Sequence, residues 1–184
     1  MAIVGILIVF GAGGYWAYRN FIKRPIPEPK PGEEVLADPT AGWETYTNAT
    51  YAYKVKYPPD FYLHLTGYRP LPPYGVRFGN HPTDEPNPNF IHFEIDVTRE
   101  TMPTPLDQFP EILDLISKGY IKTEFTISGR RAIKVAKPQA GLSAVVHLTK
   151  GNYSYRLALT TASVALGQAS LDEFDLFVGS LEFY

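Results

Sequence analysis

A chain of 184 residues with 45% apolar and 14% aromatic side chains has room for one ordinary domain plus an appendage, and enough apolar surface to pack it. Its formal charge of -2, from 17 basic and 19 acidic side chains, gives no broad positive field and argues against a nucleic-acid partner. The absence of cysteine removes disulfides, thiolate zinc sites, nucleophilic thiols and a lipid-modified cysteine from consideration.

Ala2 to Tyr18 carry no charge, and Ile3, Val4, Ile6, Leu7, Ile8, Val9 and Phe10 are apolar all round rather than on one face. At about 1.5 Å per residue the stretch spans roughly 25 Å, slightly short of the roughly 30 Å hydrocarbon core, which predicts a single N-terminal transmembrane helix of marginal length. Tyr15, Trp16 and Tyr18 fit an interfacial belt, and Arg19, Lys23 and Arg24 a basic flank that reaches headgroups. Residues 1–24 thus read as a membrane anchor with lipid as its partner. A cleaved signal peptide is the competing reading, with Gly11 to Gly14 as the small residues before a cut, but Met1 is followed directly by apolar residues instead of a basic segment. The basic flank, taken alone, places the domain in the cytoplasm.

Residues 25–42 hold Pro25, Pro27, Pro29, Pro31 and Pro39, the composition of a semi-rigid extended spacer. The folded domain is expected over 43–184. Trp43 to Thr47 should pair, through a turn at Asn48, with a strand in which Tyr51, Tyr53, Val55 and Tyr57 alternate with polar residues until Pro58 and Pro59 stop it. Further strands are expected at 75–78, 90–98, 121–127, 131–136, 142–148 and 153–161. The clearest sets Ile91, Phe93, Ile95 and Val97 against His92, Glu94, Asp96 and Thr98. Turns at Ser128-Gly129-Arg130 and Gly151-Asn152 make hairpins, so the sheet should be largely antiparallel.

Two helices complete the pattern. One carries Ile112, Leu113 and Ile116 on one face, with Pro110 in its first turn and Gly119 at its end. The other starts at Ser170, with Glu173 completing a capping box before Phe174, Phe177, Val178 and Leu181. The predicted class is α+β, with helices packed on a largely antiparallel sheet and one transmembrane helix preceding it.

The segment Trp43-Glu-Thr-Tyr46-Thr-Asn48, followed by Tyr51-Ala-Tyr53-Lys-Val55-Lys-Tyr57-Pro58-Pro-Asp60-Phe61, resembles the opening hairpin of PsbP-like domains. The Ile127-Ser-Gly129-Arg-Arg-Ala132 turn and the terminal amphipathic helix continue the similarity. The resemblance implies a Mog1/PsbP-like α-β-α sandwich over Trp43 to Tyr184. It also implies a bias towards non-enzymatic roles and, as in many bacterial relatives, an anchored domain outside the cytoplasm. It supplies no ligand-binding motif.

No Walker loop, HExxH, GxSxG or EF-hand spacing occurs in the domain, and no cofactor is expected. The sharpest polar constellation is His92, Glu94 and Asp96 on one strand face, which could ligate a divalent metal or serve as acid and base. Successive residues on one face lie about 7 Å apart, so the three need help from another strand to share an ion; a solvated face is the plainer reading. His81, Asp84 and Glu85 fall in a turn-rich loop, and Tyr68, Pro70, Pro72, Pro73 and Tyr74 form an apolar surface or cover a sheet edge. Arg130 and Arg131 could hold an anion, whereas isolated His64 and His147 receive no role. The expected function is a membrane-anchored, non-enzymatic protein-interaction or assembly module of the cell envelope. The alternative is a metal-binding domain or metal-dependent hydrolase built on His92, Glu94 and Asp96.

Overall fold

Alternation settles the first strands. In the computed structural model, which describes residues 38–65, 75–82, 87–102 and 104–184, strand β2 (Tyr53–Tyr57) buries Tyr53, Val55 and Tyr57 and leaves Lys54 and Lys56 half-buried. Strand β1 (Glu44–Asn48) runs antiparallel to it, with Glu44 opposite Tyr57 and Asn48 opposite Tyr53. Asn48 fixes the turn between them, because its Oδ1 accepts the Tyr51 backbone N–H at 3.1 Å. The predicted anchor at 1–24, spacer residues 25–37, the Tyr68 to Tyr74 segment, and Asp84 and Glu85 lie outside the described residues. Among the described residues no helix is long and apolar enough to cross a membrane.

The main sheet contains β3 (Tyr62–Leu65), β4 (Gly75–Gly79), β5 (Ile91–Arg99), β6 (Ile121–Ile127), β7 (Arg130–Ala136), β8 (Gly141–Lys150) and β9 (Tyr153–Thr161). Their order is β3-β4-β5-β9-β8-β7-β6, with every pairing antiparallel. Two meanders therefore meet at the β5–β9 seam, the long-range contact that makes them one sheet. β3 was not expected. Pro58 and Pro59 do end β2, but the Phe61 N–H donates to the Pro58 carbonyl at 3.1 Å and the chain re-enters an extended path at once. The β6–β7 hairpin turns through Ser128 and Gly129 at φ 47° and 73°, the left-handed pair that suits the twist of the flanking strands.

Helix α1 (Pro110–Ser117) carries the chain from β5 at the seam to β6 at the far edge. Pro110 sits in its first turn, and Gly119, at φ 84°, ends it as Tyr120 N–H donates to the Leu115 carbonyl. The expected apolar stripe is corrected here: Ile112 and Leu115 are buried, while Leu113 and Ile116 face outward. A helix of only two turns touches the sheet along one i, i+3 row, and that row is Ile112–Leu115.

Two helices follow β9 where one was expected, α2 (Val164–Ala169) and α3 (Leu171–Gly179). Ser163 caps α2 by accepting the Leu166 N–H at 3.3 Å. The capping box at Ser170 does not form. Ser170 follows α2 directly, has helical backbone at φ -92° and ψ -4°, is buried, and makes no side-chain cap. β10 (Glu182–Phe183) then joins β2, giving a small sheet ordered β1-β2-β10.

The main sheet is covered on both faces. On the first, Phe78, Phe93, Ile95, Leu157 and Leu159 pack under Phe174, Phe177 and Val178 of α3 and under Tyr53 and Val55 of β2. Phe93 lies at the centre, its ring 5.0 Å from Phe177 and 5.7 Å from Phe174. On the second face, Ile133, Val135, Val145 and Ala158 pack under Leu106, Phe109, Ile112 and Leu115. That second cover spans only the β7–β9 side, and the site lies beside it.

Candidate functional site

Residues directly opposite in an antiparallel pair point to the same side of the sheet. Pairing places Arg77 opposite Glu94, Asp96 opposite Arg156, and Arg156 opposite His147, so three neighbouring strand pairs put five polar side chains on the second face. α1 adds a sixth, Glu111, from its first turn. Arg156 is the hub. Its Nε lies 3.0 and 2.9 Å from the Glu111 oxygens and its Nη2 3.0 Å from Oε1, while Nη1 lies 3.1 Å from Asp96 Oδ2 and 3.7 Å from Glu94 Oε2. Arg77 Nη2 reaches Glu94 Oε1 at 3.4 Å.

His147 completes the network from below. Its Nε2–H donates to Glu111 Oε2 at 2.8 Å, since an ionised carboxylate only accepts. Among the described residues its Nδ1 is buried without a hydrogen-bond partner, and the Phe109 ring lies against the imidazole at 5.0 Å, tilted by 46°. Burial by itself pushes the Glu111 carboxyl upward, but hydrogen bonds from His147 and Arg156 and their charges outweigh it and hold the group at about 2. Asp96 moves the other way: burial and the neighbouring Glu94 charge raise its carboxyl despite Arg156.

The strand delivers Glu94 and Asp96 to one side, as expected, but they converge on a guanidinium, whose Nη1 stands between them. His92 takes no part in that pair. It stacks on Phe90 with ring centroids 5.0 Å apart, in space opened by Gly79, where an added Cβ would come within 2.7 Å of His92 Cδ2. Among the described residues no group of three or more His, Cys, Asp or Glu side chains is placed to hold a metal ion. The physical reason is the one visible in the strand repeat: three side chains about 7 Å apart reach one point only if a neighbouring strand adds donors, and this neighbour adds a cation. What the cluster does well is fix charge and clamp α1 to the sheet.

The remaining candidates separate. His64 Nε2 lies 3.0 Å from the His81 carbonyl. Arg131 is held by Asp107 at 2.9 Å and Glu124 at 2.7 Å, and Arg130 lies over the Phe183 ring at 5.6 Å. A separate open groove of about 340 Å³ at the end of α3 is lined by Lys56, Asp175 and Ser180 among others, with Lys56 already paired to Asp38 at 2.7 Å. Sequence reasoning passed over Arg156, Glu111, Arg77 and His147. The available signal was Arg156 itself, the one charge in the strand Tyr153-Ser-Tyr-Arg-Leu-Ala-Leu-Thr-Thr, since an arginine in a central strand requires carboxylates nearby.

No protein family and no curated protein matches this chain in sequence. Solved structures do match in fold. The solution structure of cyanobacterial PsbP (CyanoP) from Synechocystis shares 14% identity at a TM-score of 0.50, over 77% of this chain and 92% of that one. The Ran-binding protein Mog1p of Saccharomyces cerevisiae shares 12% identity at a TM-score of 0.49, over 77% of this chain and 95% of that one. At such identity the likeness to CyanoP speaks for the backbone and not for the site. The domain has a PsbP-like fold.

Proposed function

We propose that the chain is a non-enzymatic interaction module of the cell envelope. Residues 1–24 anchor it in the membrane, and the spacer holds the domain off the bilayer on the extracytoplasmic side. A protein partner docks on the part of the second face beside α1. The observation that carries the docking surface is the Arg156 network: its charges are fixed by one another and yet reach the surface, with Asp96 keeping 38% and Arg77 30% of its side chain exposed. Tyr62, on the same face of β3, is 49% exposed and supplies an aromatic anchor. Charges held rigid before contact cost little ordering entropy on binding and select a complementary partner. The uncharged run 2–18 with its aromatic and basic flank supports the anchor, and the resemblance to anchored PsbP-like domains supports the extracytoplasmic side against the pull of the basic flank.

Site-specific photocrosslinking from position 62 in intact cells tests the surface. A discrete adduct lost in Arg77→Glu is expected, and crosslinking no different from that at exposed Val164 would remove the assignment. Protease digestion of a C-terminally tagged chain in intact cells tests the placement. Digestion is expected, and protection until lysis would mean that the basic flank keeps the domain in the cytoplasm.

A further inference from the structure

β6 is the outer strand of the main sheet, and among the described residues it pairs with β7 alone. Ile121, Lys122, Thr123 and Glu124 are all exposed, Ile121 by 74%, so the strand offers the open edge that another strand can extend. Lysine on an edge ordinarily blocks such pairing. Here it alternates with glutamate, and the segment Ile121-Lys-Thr-Glu-Phe125 is its own complement when reversed.

In an antiparallel pair related by a two-fold axis, a register centred on Thr123 sets Lys122 of each copy against Glu124 of the other, and Ile121 against Phe125. Centring on Lys122 or Glu124 instead sets like charges directly opposite, which is unfavourable. The two charged pairs fall on the second face, where Lys122 already meets Asp107 at 2.6 Å and Glu124 at 2.9 Å, and Arg131 meets Glu124 at 2.7 Å. A second copy continues this band of alternating charge. The apolar pairs fall on the first face, where Phe125 is half-buried against the main core, so Ile121 of the other copy extends that core outward.

We propose that two copies of this chain associate through β6, antiparallel and centred on Thr123, joining their main sheets into one. The occupant is set by complementarity of charge and of apolar side chains, both read from one strand, and the surface is separate from the one proposed for a protein partner. The full chain in mild detergent tests it, because the chain has no cysteine of its own. Opposed Cα atoms sit about 4.5–5.5 Å apart, within the roughly 4.4–6.8 Å a disulfide bridges. Ile121 and its own copy are four positions out of register, about 13 Å apart.

Thr123→Cys is expected to give a disulfide dimer on mild oxidation. Ile121→Cys alone should not, although mixed with Phe125→Cys it should give the heterodimer. Adding Lys122→Glu to Thr123→Cys should cut the dimer yield at least tenfold, and adding Glu124→Lys as well should restore it. Equal crosslinking of Thr123→Cys and Ile121→Cys, no crosslinking at Thr123, or no rescue by the charge swap overturns the pairing.

Discussion

Arg156 on β9 grips Glu111 in the first turn of α1 with three N–H···O contacts of 2.9 to 3.0 Å, across 45 residues of sequence. Both groups are half-buried, and the same guanidinium also faces Asp96 and Glu94. Arg156→Met should therefore cost more than a lost ion pair, because it leaves carboxylates facing one another on a half-covered sheet. A loss of about 2–3 kcal/mol is expected from urea unfolding, less than for a fully buried pair because water reaches the edge of the cluster. Arg156→Lys keeps the charge but not the fork, and should recover less than half of the loss.

The two acids on Arg156 have opposite linkage to pH. Glu111 is held at about 2 against an ordinary 4.5, so it contributes stability that is complete above about 4.5 and is lost as pH falls toward 2. Asp96 is raised above its ordinary 3.8, so its ionised form weakens the fold at neutral pH, and that penalty is relieved as pH falls through its folded value. Glu111→Gln should flatten the stability profile between pH 4.5 and 2 and lower stability at pH 7. Asp96→Asn should cost little or nothing at pH 7. Equal losses for the two variants in denaturant titrations at pH 7 would contradict the assignment.

Two helical glycines should respond in opposite directions to alanine. At Gly167 in α2 an added Cβ would lie 2.6 Å from Ser143 Oγ, which is itself bonded to the Gln139 carbonyl at 2.6 Å. Gly167→Ala should destabilise by about 1–3 kcal/mol, overpacking outweighing the gain in helix propensity. Gly179 at the end of α3 has nothing within 4 Å of an added Cβ. Gly179→Ala should stabilise by about 0.5 kcal/mol. Thermal unfolding of the two variants beside the native chain decides both.

Some of the 13 tyrosines should not ionise until the protein unfolds. Burial raises the Tyr155 hydroxyl to about 12, and burial with the Glu44 hydrogen bond raises Tyr57 to about 12. Tyr53, buried further, lies above both. Spectrophotometric titration should show an early class and a late class that appears only with loss of structure. Tyr155→Phe should shrink the late class and cost about 1 kcal/mol, the worth of the bond its hydroxyl donates to the Tyr51 carbonyl at 3.0 Å.

By itself the sequence determined the local grammar of the domain. Period-two alternation placed β2 and β5 and the faces they bury, Asn48 and Ser128-Gly129 placed the turns, and Pro110 and Gly119 bounded α1, because each depends on backbone geometry and neighbours within a few residues. Tertiary structure decided which strand lies beside which. The β5–β9 seam joins residues some sixty positions apart and brings Arg156 to Asp96, and α1 lands with Ile112 and Leu115 inward. Ser170 read as a helix cap until α2 occupied the preceding turn. His92, Glu94 and Asp96 read as one constellation until β9 supplied an arginine for two of them and β4 a glycine opposite the third. Side-chain chemistry at such a face is set by what the adjacent strand presents, and strand adjacency is a long-range choice that no local pattern encodes.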